Sequence, residues 1–112
     1  MGEAWFTEYA DELARCLVDA QNCAEVCEDY LQRLDGDEGE LRRALDVLAA
    51  PAAVSRILIE LIDQPPQLVL AAARLCRELT TTAADTLGRP DDVVDALRAA
   101  ADSAGALVDT AG

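Results

Sequence analysis

Apolar residues recur at three- and four-residue steps along almost the whole chain, and no segment alternates with period two. That pattern leaves little room for a sheet. Ala, Leu, Glu and Arg are plentiful and β-branched runs are scarce, which favours helix by intrinsic propensity as well. Three turn-rich breaks interrupt the pattern: Asp35-Gly36-Asp37-Glu38-Gly39, Asp63-Gln64-Pro65-Pro66 and Gly88-Arg89-Pro90. They divide the chain into four segments, predicted as helices over 7–34, 39–63, 66–87 and 91–109. Short connections between helices of similar length make neighbours antiparallel. The expectation is an all-α, up-down-up-down four-helix bundle, with 1–112 as a single domain.

Each segment carries its own inward stripe. In the first it is Leu13, Cys16/Leu17, Ala20, Cys23/Ala24, Cys27, Tyr30/Leu31 and Leu34, with Thr7 or an earlier residue as the cap and Glu8, Asp11 and Glu12 at the positive end of the macrodipole. In the second it is Leu41, Leu45, Leu48, Ala52, Ser55, Ile59 and Ile62. Pro51 lies inside that helix, lacks a backbone donor and crowds the preceding turn, so a kink or break is expected there. Pro66 suits the first position of the third helix, whose stripe reads Leu68, Leu70/Ala71, Leu75, Leu79, Ala83 and Leu87. Thr80-Thr81-Thr82 is tolerable there because hydroxyls can bond back to the preceding turn. Gly88 ends the helix. Asp91 or Asp92 begins the fourth, with Val93/Val94, Leu97, Ala100/Ala101, Ala104 and Leu107/Val108 inside.

Composition excludes several functions. The 112 residues hold 22 acidic side chains against 9 basic ones, a net charge of −13. Such a surface repels DNA, RNA and anionic lipid, whose phosphates call for Lys and Arg. There is no histidine, which removes the commonest general base and metal ligand and the helical Glu-x-x-His motif of di-iron bundles. With no glycine-rich phosphate loop and no nucleophile elbow either, an enzyme is not expected. The N-terminus is acidic and lacks a secretory signal pattern, and no apolar run approaches the roughly 18 residues of a membrane span. The expected setting is the cytoplasm, with reduced cysteines. Trp5 and Phe6, and the second half of helix two, which is apolar on more than one side, are candidates for a homo-oligomer or partner contact.

Cys16, Cys23 and Cys27 follow at spacings of seven and four, close to one helical face. Cys76 sits in the third helix, diagonal to the first. Thiolates select soft metals. Cys16 and Cys27 are about 16 Å apart along a helix and cannot share an ion. Cys23 and Cys27 lie one turn apart and could share one with Cys76. Zinc and iron–sulfur sites want four ligands, whereas Cu(I) is content with two or three thiolates. Two other readings stand beside this one: cysteine as a small buried hydrophobe, and a redox pair, for which two cysteines within one regular helix are poorly placed.

The row resembles that of the cysteine-rich four-helix bundles that include the bacterial cytosolic copper storage proteins, which carry Cys-x3-Cys-x2-Cys-x3-Cys along their helices. Here the row reads Cys16, Ala20, Cys23, Cys27, and the phrase Cys23-Ala-Glu-Val-Cys27-Glu is similar to the family's. A second copy reads Cys76, Thr80, Ala83, Leu87, and a third Ala96, Ala100, Ser103, Leu107. The resemblance implies the bundle fold, a cytosolic setting and Cu(I) binding by Cys16, Cys23, Cys27 and Cys76. The family's mouth histidines are absent and most row positions are Ala, Leu, Thr or Ser, so the chain resembles a degenerate member. The expected function is low-capacity Cu(I) binding. The alternative is a metal-free interaction or oligomerisation module in which the cysteines are only core residues.

Overall fold

The computed structural model describes residues 7–34, 38–88 and 91–111. Trp5 and Phe6, the turn residues Asp35 to Asp37, and Pro90 lie outside the described residues. Four long helices follow one another: α1 (Ala10–Arg33), α2 (Glu38–Glu60), α3 (Pro66–Leu87) and α4 (Asp92–Ala111). Each packs along its sequence neighbours, and α1 closes against α4. This is the four-helix bundle that the periodicity predicts, with α1 and α3 on one diagonal and α2 and α4 on the other.

The helix ends follow local chemistry. Thr7 and Glu8 are already helical, but a turn at Tyr9 separates them from α1, whose N-cap is Tyr9 with no side-chain cap bond. Asp11 and Glu12 occupy the first turn as expected. Gly39 belongs to α2 rather than to the preceding turn. That helix ends at Glu60, and 61–63 form a turn. Pro66 opens α3 at the position where a missing N–H costs nothing. Gly88 closes α3 in the left-handed conformation, φ 63°, and donates its N–H to the Ala84 carbonyl at 3.0 Å. Asp91 caps α4: its carboxylate accepts from the Val94 N–H at 3.0 Å, and its carbonyl accepts from Asp95. Helix α2 runs unbroken through Pro51, which is buried. The ring removes the donor for the Val47 carbonyl, one bond of the ladder rather than the whole helix.

Two of the expected faces are corrected by the packing. On α3 the buried residues are Val69, Ala72, Ala73, Cys76, Thr80, Ala83 and Ala84, while Leu68 and Leu75 are each 48% exposed and Ala71 is exposed. The helix is turned so that its small residues meet α4 and its leucines look outward. On α2 the inner face is Ala44, Leu48, Pro51, Ala52, Val54, Ser55 and Leu58. Leu45 is exposed, and Leu41, Ile59 and Ile62 are half-buried. The faces of α1 and α4 are as expected.

The interior divides along the bundle axis. One half-core gathers Leu13, Cys16, Val54, Leu58, Val69, Cys76 and Leu107. The other gathers Cys23, Cys27, Leu48, Ala83, Val93 and Leu97. Hydroxyls lie between them. Ser55 and Thr80 are fully buried, and each donates to the carbonyl one turn back: Ser55 to Pro51 at 2.8 Å and Thr80 to Cys76 at 2.6 Å. Ser103 on α4 donates to the Asp19 carboxylate on α1 at the same level. Every buried hydroxyl of this waist therefore has a partner, as a low-dielectric interior demands. Outside, Arg56 forks onto Glu28 at 2.7 and 3.1 Å, joining α2 to α1.

Candidate functional site

All four cysteines are buried and free. Helical spacing puts Cys16, Cys23 and Cys27 on the inner stripe of α1, and the rotation of α3 that exposes Leu75 is the same rotation that turns its neighbour Cys76 inward. The thiols form a chain along the axis rather than a ring around a point. Cys16 feels Cys76 in the first half-core. Cys76 meets the Ser55 hydroxyl. Ser55 also meets Cys23, which is hydrogen-bonded to Cys27 in the second half-core.

Ser55 is the hub that the sequence reading missed. It appeared there only as one position in an apolar stripe. A hydroxyl has one proton and two lone pairs. With the proton on the Pro51 carbonyl, the hydroxyl oxygen lies beside the sulfurs of Cys23 and Cys76. If Cys23 ionises, the same hydroxyl can rotate and donate to the thiolate. Nothing in the spacing announces this, although a serine four residues after a helical proline is well placed to bond back to it.

The four thiols differ in proton affinity for reasons that can be read from their surroundings. Burial pushes Cys16 up to about 12, with Cys76 and Asp19 adding to the shift. Burial, then the charge of Cys23, pushes Cys76 up to about 11, against the opposing Ser55 hydroxyl. Cys27 is raised furthest, because its S–H donates to Cys23 and would lose that bond on ionising; burial adds to this. Cys23 is lowered by accepting that bond, against its own burial, with further help from Ser55. Cys23 departs from the other three because the hydrogen bond it accepts favours its thiolate directly.

The arrangement offers one pair, Cys23 and Cys27, that can share a single proton in the apolar half-core that also holds Leu48, Ala52 and Ala83. A linear two-coordinate soft cation suits such a pair. Among the described residues no group of three or more His, Cys, Asp or Glu side chains could hold a metal ion. Cys76 comes near through Ser55, and Cys16 lies beyond it in the other half-core. Among the described residues, too, no helix is long and apolar enough to cross a membrane. Compared with family models, with curated proteins and with solved structures, the chain matches none of them.

Proposed function

We propose that the protein binds Cu(I) at low capacity through its core thiolates, with Cys23 and Cys27 as the primary pair and Cys76 and Cys16 as further soft donors along the same axis. The supporting observation is the Cys23–Cys27 hydrogen bond inside a buried, apolar half-core, with Ser55 beside Cys23. The resemblance of Cys16-x3-Ala20-x2-Cys23-x3-Cys27 to the rows of copper storage bundles points the same way. Reduced, buried thiols fit a cytoplasmic setting. Loading one Cu(I) on the pair releases the thiol protons and leaves a single negative charge. Affinity must then rise with pH, about ten- to a hundredfold per unit near neutrality, with the lower slope once Cys23 is already ionised.

Titration of the reduced protein with Cu(I) against a competing chelator tests this. The expected result is one tightly held ion per chain, lost in Cys23→Ser and Cys27→Ser. Equal binding by a variant with serine at 23, 27 and 76 would sink the proposal. That outcome would favour the alternative, a metal-free interaction module in which the cysteines serve only as small core residues.

A further inference from the structure

Among the described residues five large apolar side chains are exposed: Val18, Leu45, Ile57, Leu68 and Leu75. Three of them, Ile57, Leu68 and Leu75, are not scattered. They line one groove between α2 and α3, about 450 Å³ in volume, floored by Val54 and Ala72 and continued by Leu61. The groove is open along the outside of the bundle, and its floor is the outer side of the first half-core. It exists because α3 turns its small residues inward and its leucines out.

The distribution of charge says what can cover it. Acidic residues outnumber arginines by six to two on α1 and by four to one on α4. On α2 the ratio is four to three, and on α3 two to two. Of the net charge carried by the four helices, seven of the eight negative charges therefore lie on α1 and α4, while the two helices that bear the groove are together close to neutral. A cationic partner would be drawn to the other side of the bundle. A second copy carries the same −13, so it can approach only where like charge is missing, which is this face. Two helices of this length present roughly 33 Å by roughly 20 Å, about 650 Å², close to the roughly 800 Å² per partner of a stable interface.

We propose that the α2–α3 face is the contact of a symmetric dimer of this chain, with the groove around Ile57, Leu68 and Leu75 as its apolar centre. The same patch meets itself, as in any isologous contact. The acidic α1–α4 halves then sit on the two far sides. The thiol row is not part of the contact, so the dimer stands independently of metal binding.

Sedimentation equilibrium of the full-length reduced chain, from micromolar to sub-millimolar concentration, tests this, with Leu75→Glu and Val18→Glu compared against the unaltered protein. Both substitutions add one negative charge at an exposed apolar position, but on different faces. The expected result is a dimer that tightens with added salt as repulsion between the copies is screened. Leu75→Glu should weaken it about a hundredfold, since about a tenfold loss enters once per copy, and Val18→Glu should leave it within about threefold of the original. Circular dichroism on both variants confirms that the monomer is intact, and should Leu75→Glu unfold the chain, Leu68→Gln replaces it. A strict monomer at every concentration and salt overturns the proposal, whatever other protein it binds. So does a dimer that Val18→Glu weakens as much as Leu75→Glu.

Discussion

Raising the pH should unfold this protein through its thiols. All nine basic residues are arginine and there is no lysine, so no lysine titration is superposed on that of the thiols. An unperturbed thiol ionises near 9.0, but burial holds Cys16 up to about 12 and Cys76 up to about 11, and the bond to Cys23, followed by burial, raises Cys27 as well. A folded value above the unfolded one contributes stability that is complete below the unfolded value and is lost as pH climbs through the folded one. The unfolded chain then binds fewer protons than the folded one, and each such thiol costs about 1.4 kcal/mol of stability per pH unit above 9. At pH 11 Cys16 accounts for about 2.8 kcal/mol and Cys76, half-ionised in the folded state, for about 2.4. Together they remove about 5 kcal/mol, comparable to the whole stability of a marginal domain this size, and the raised Cys27 acts in the same direction. Cys23 works the other way: its lowered value adds a term that is lost only as pH falls through its folded value, so it is constant across this window. Thiolate absorbance and far-ultraviolet circular dichroism, followed together, should show three thiols ionising cooperatively with loss of helix between about pH 10 and 12. Cys16→Ala together with Cys76→Ala should shift the transition upward. Four thiols titrating near 9 while the helix signal holds would refute the burial on which the reasoning stands.

Two further perturbations probe the interior. Ser55→Ala keeps the helix, since the Pro51 carbonyl still accepts from the backbone N–H of residue 55, and alanine regains some propensity, so stability should change by less than about 1 kcal/mol in urea denaturation; the Cys23 pKa should rise with loss of the Ser55 hydroxyl, and an unchanged Cys23 titration by NMR would remove Ser55 from the site. Leu58→Ala opens a cavity at a fully buried position and should cost about 2 to 5 kcal/mol, whereas the same change at exposed Leu45 should cost less than about 0.5.

Helix number and most helix ends were legible in the sequence because each depends on a local rule: proline at a first turn for α3, glycine in the left-handed conformation after it, and an aspartate cap for α4. The inner faces of α1 and α4 were legible because each carries a single apolar stripe. Helix α3 carries two, displaced by one residue. The leucine stripe of Leu68, Leu75 and Leu79 looks like the core by hydrophobicity, but the stripe of Val69, Ala72, Ala73, Cys76, Thr80 and Ala83 is the one buried. Small side chains let two helix axes approach closely, and that gain belongs to the pair of helices rather than to either sequence. A usable signal was present: with Cys76 inward, a 100° step places Leu75 to the side. The thiols were visible as a row. Their link through Ser55, and the Asp19–Ser103 contact, join residues far apart in sequence and emerge only when the bundle closes.

The hydroxyl waist has a kinetic consequence. Apolar packing transmits cooperativity because each side chain interlocks with the next, and here that interlock is interrupted at Ser55 and Thr80, whose main bonds run along their own helices. The two ends of the bundle can then breathe as separate units, each opening below the free energy of global unfolding. Cys23 and Cys27 would meet solvent when one end opens, Cys16 and Cys76 when the other does. Access to the thiols is then set by the opening rate of each end, and the two pairs keep different clocks.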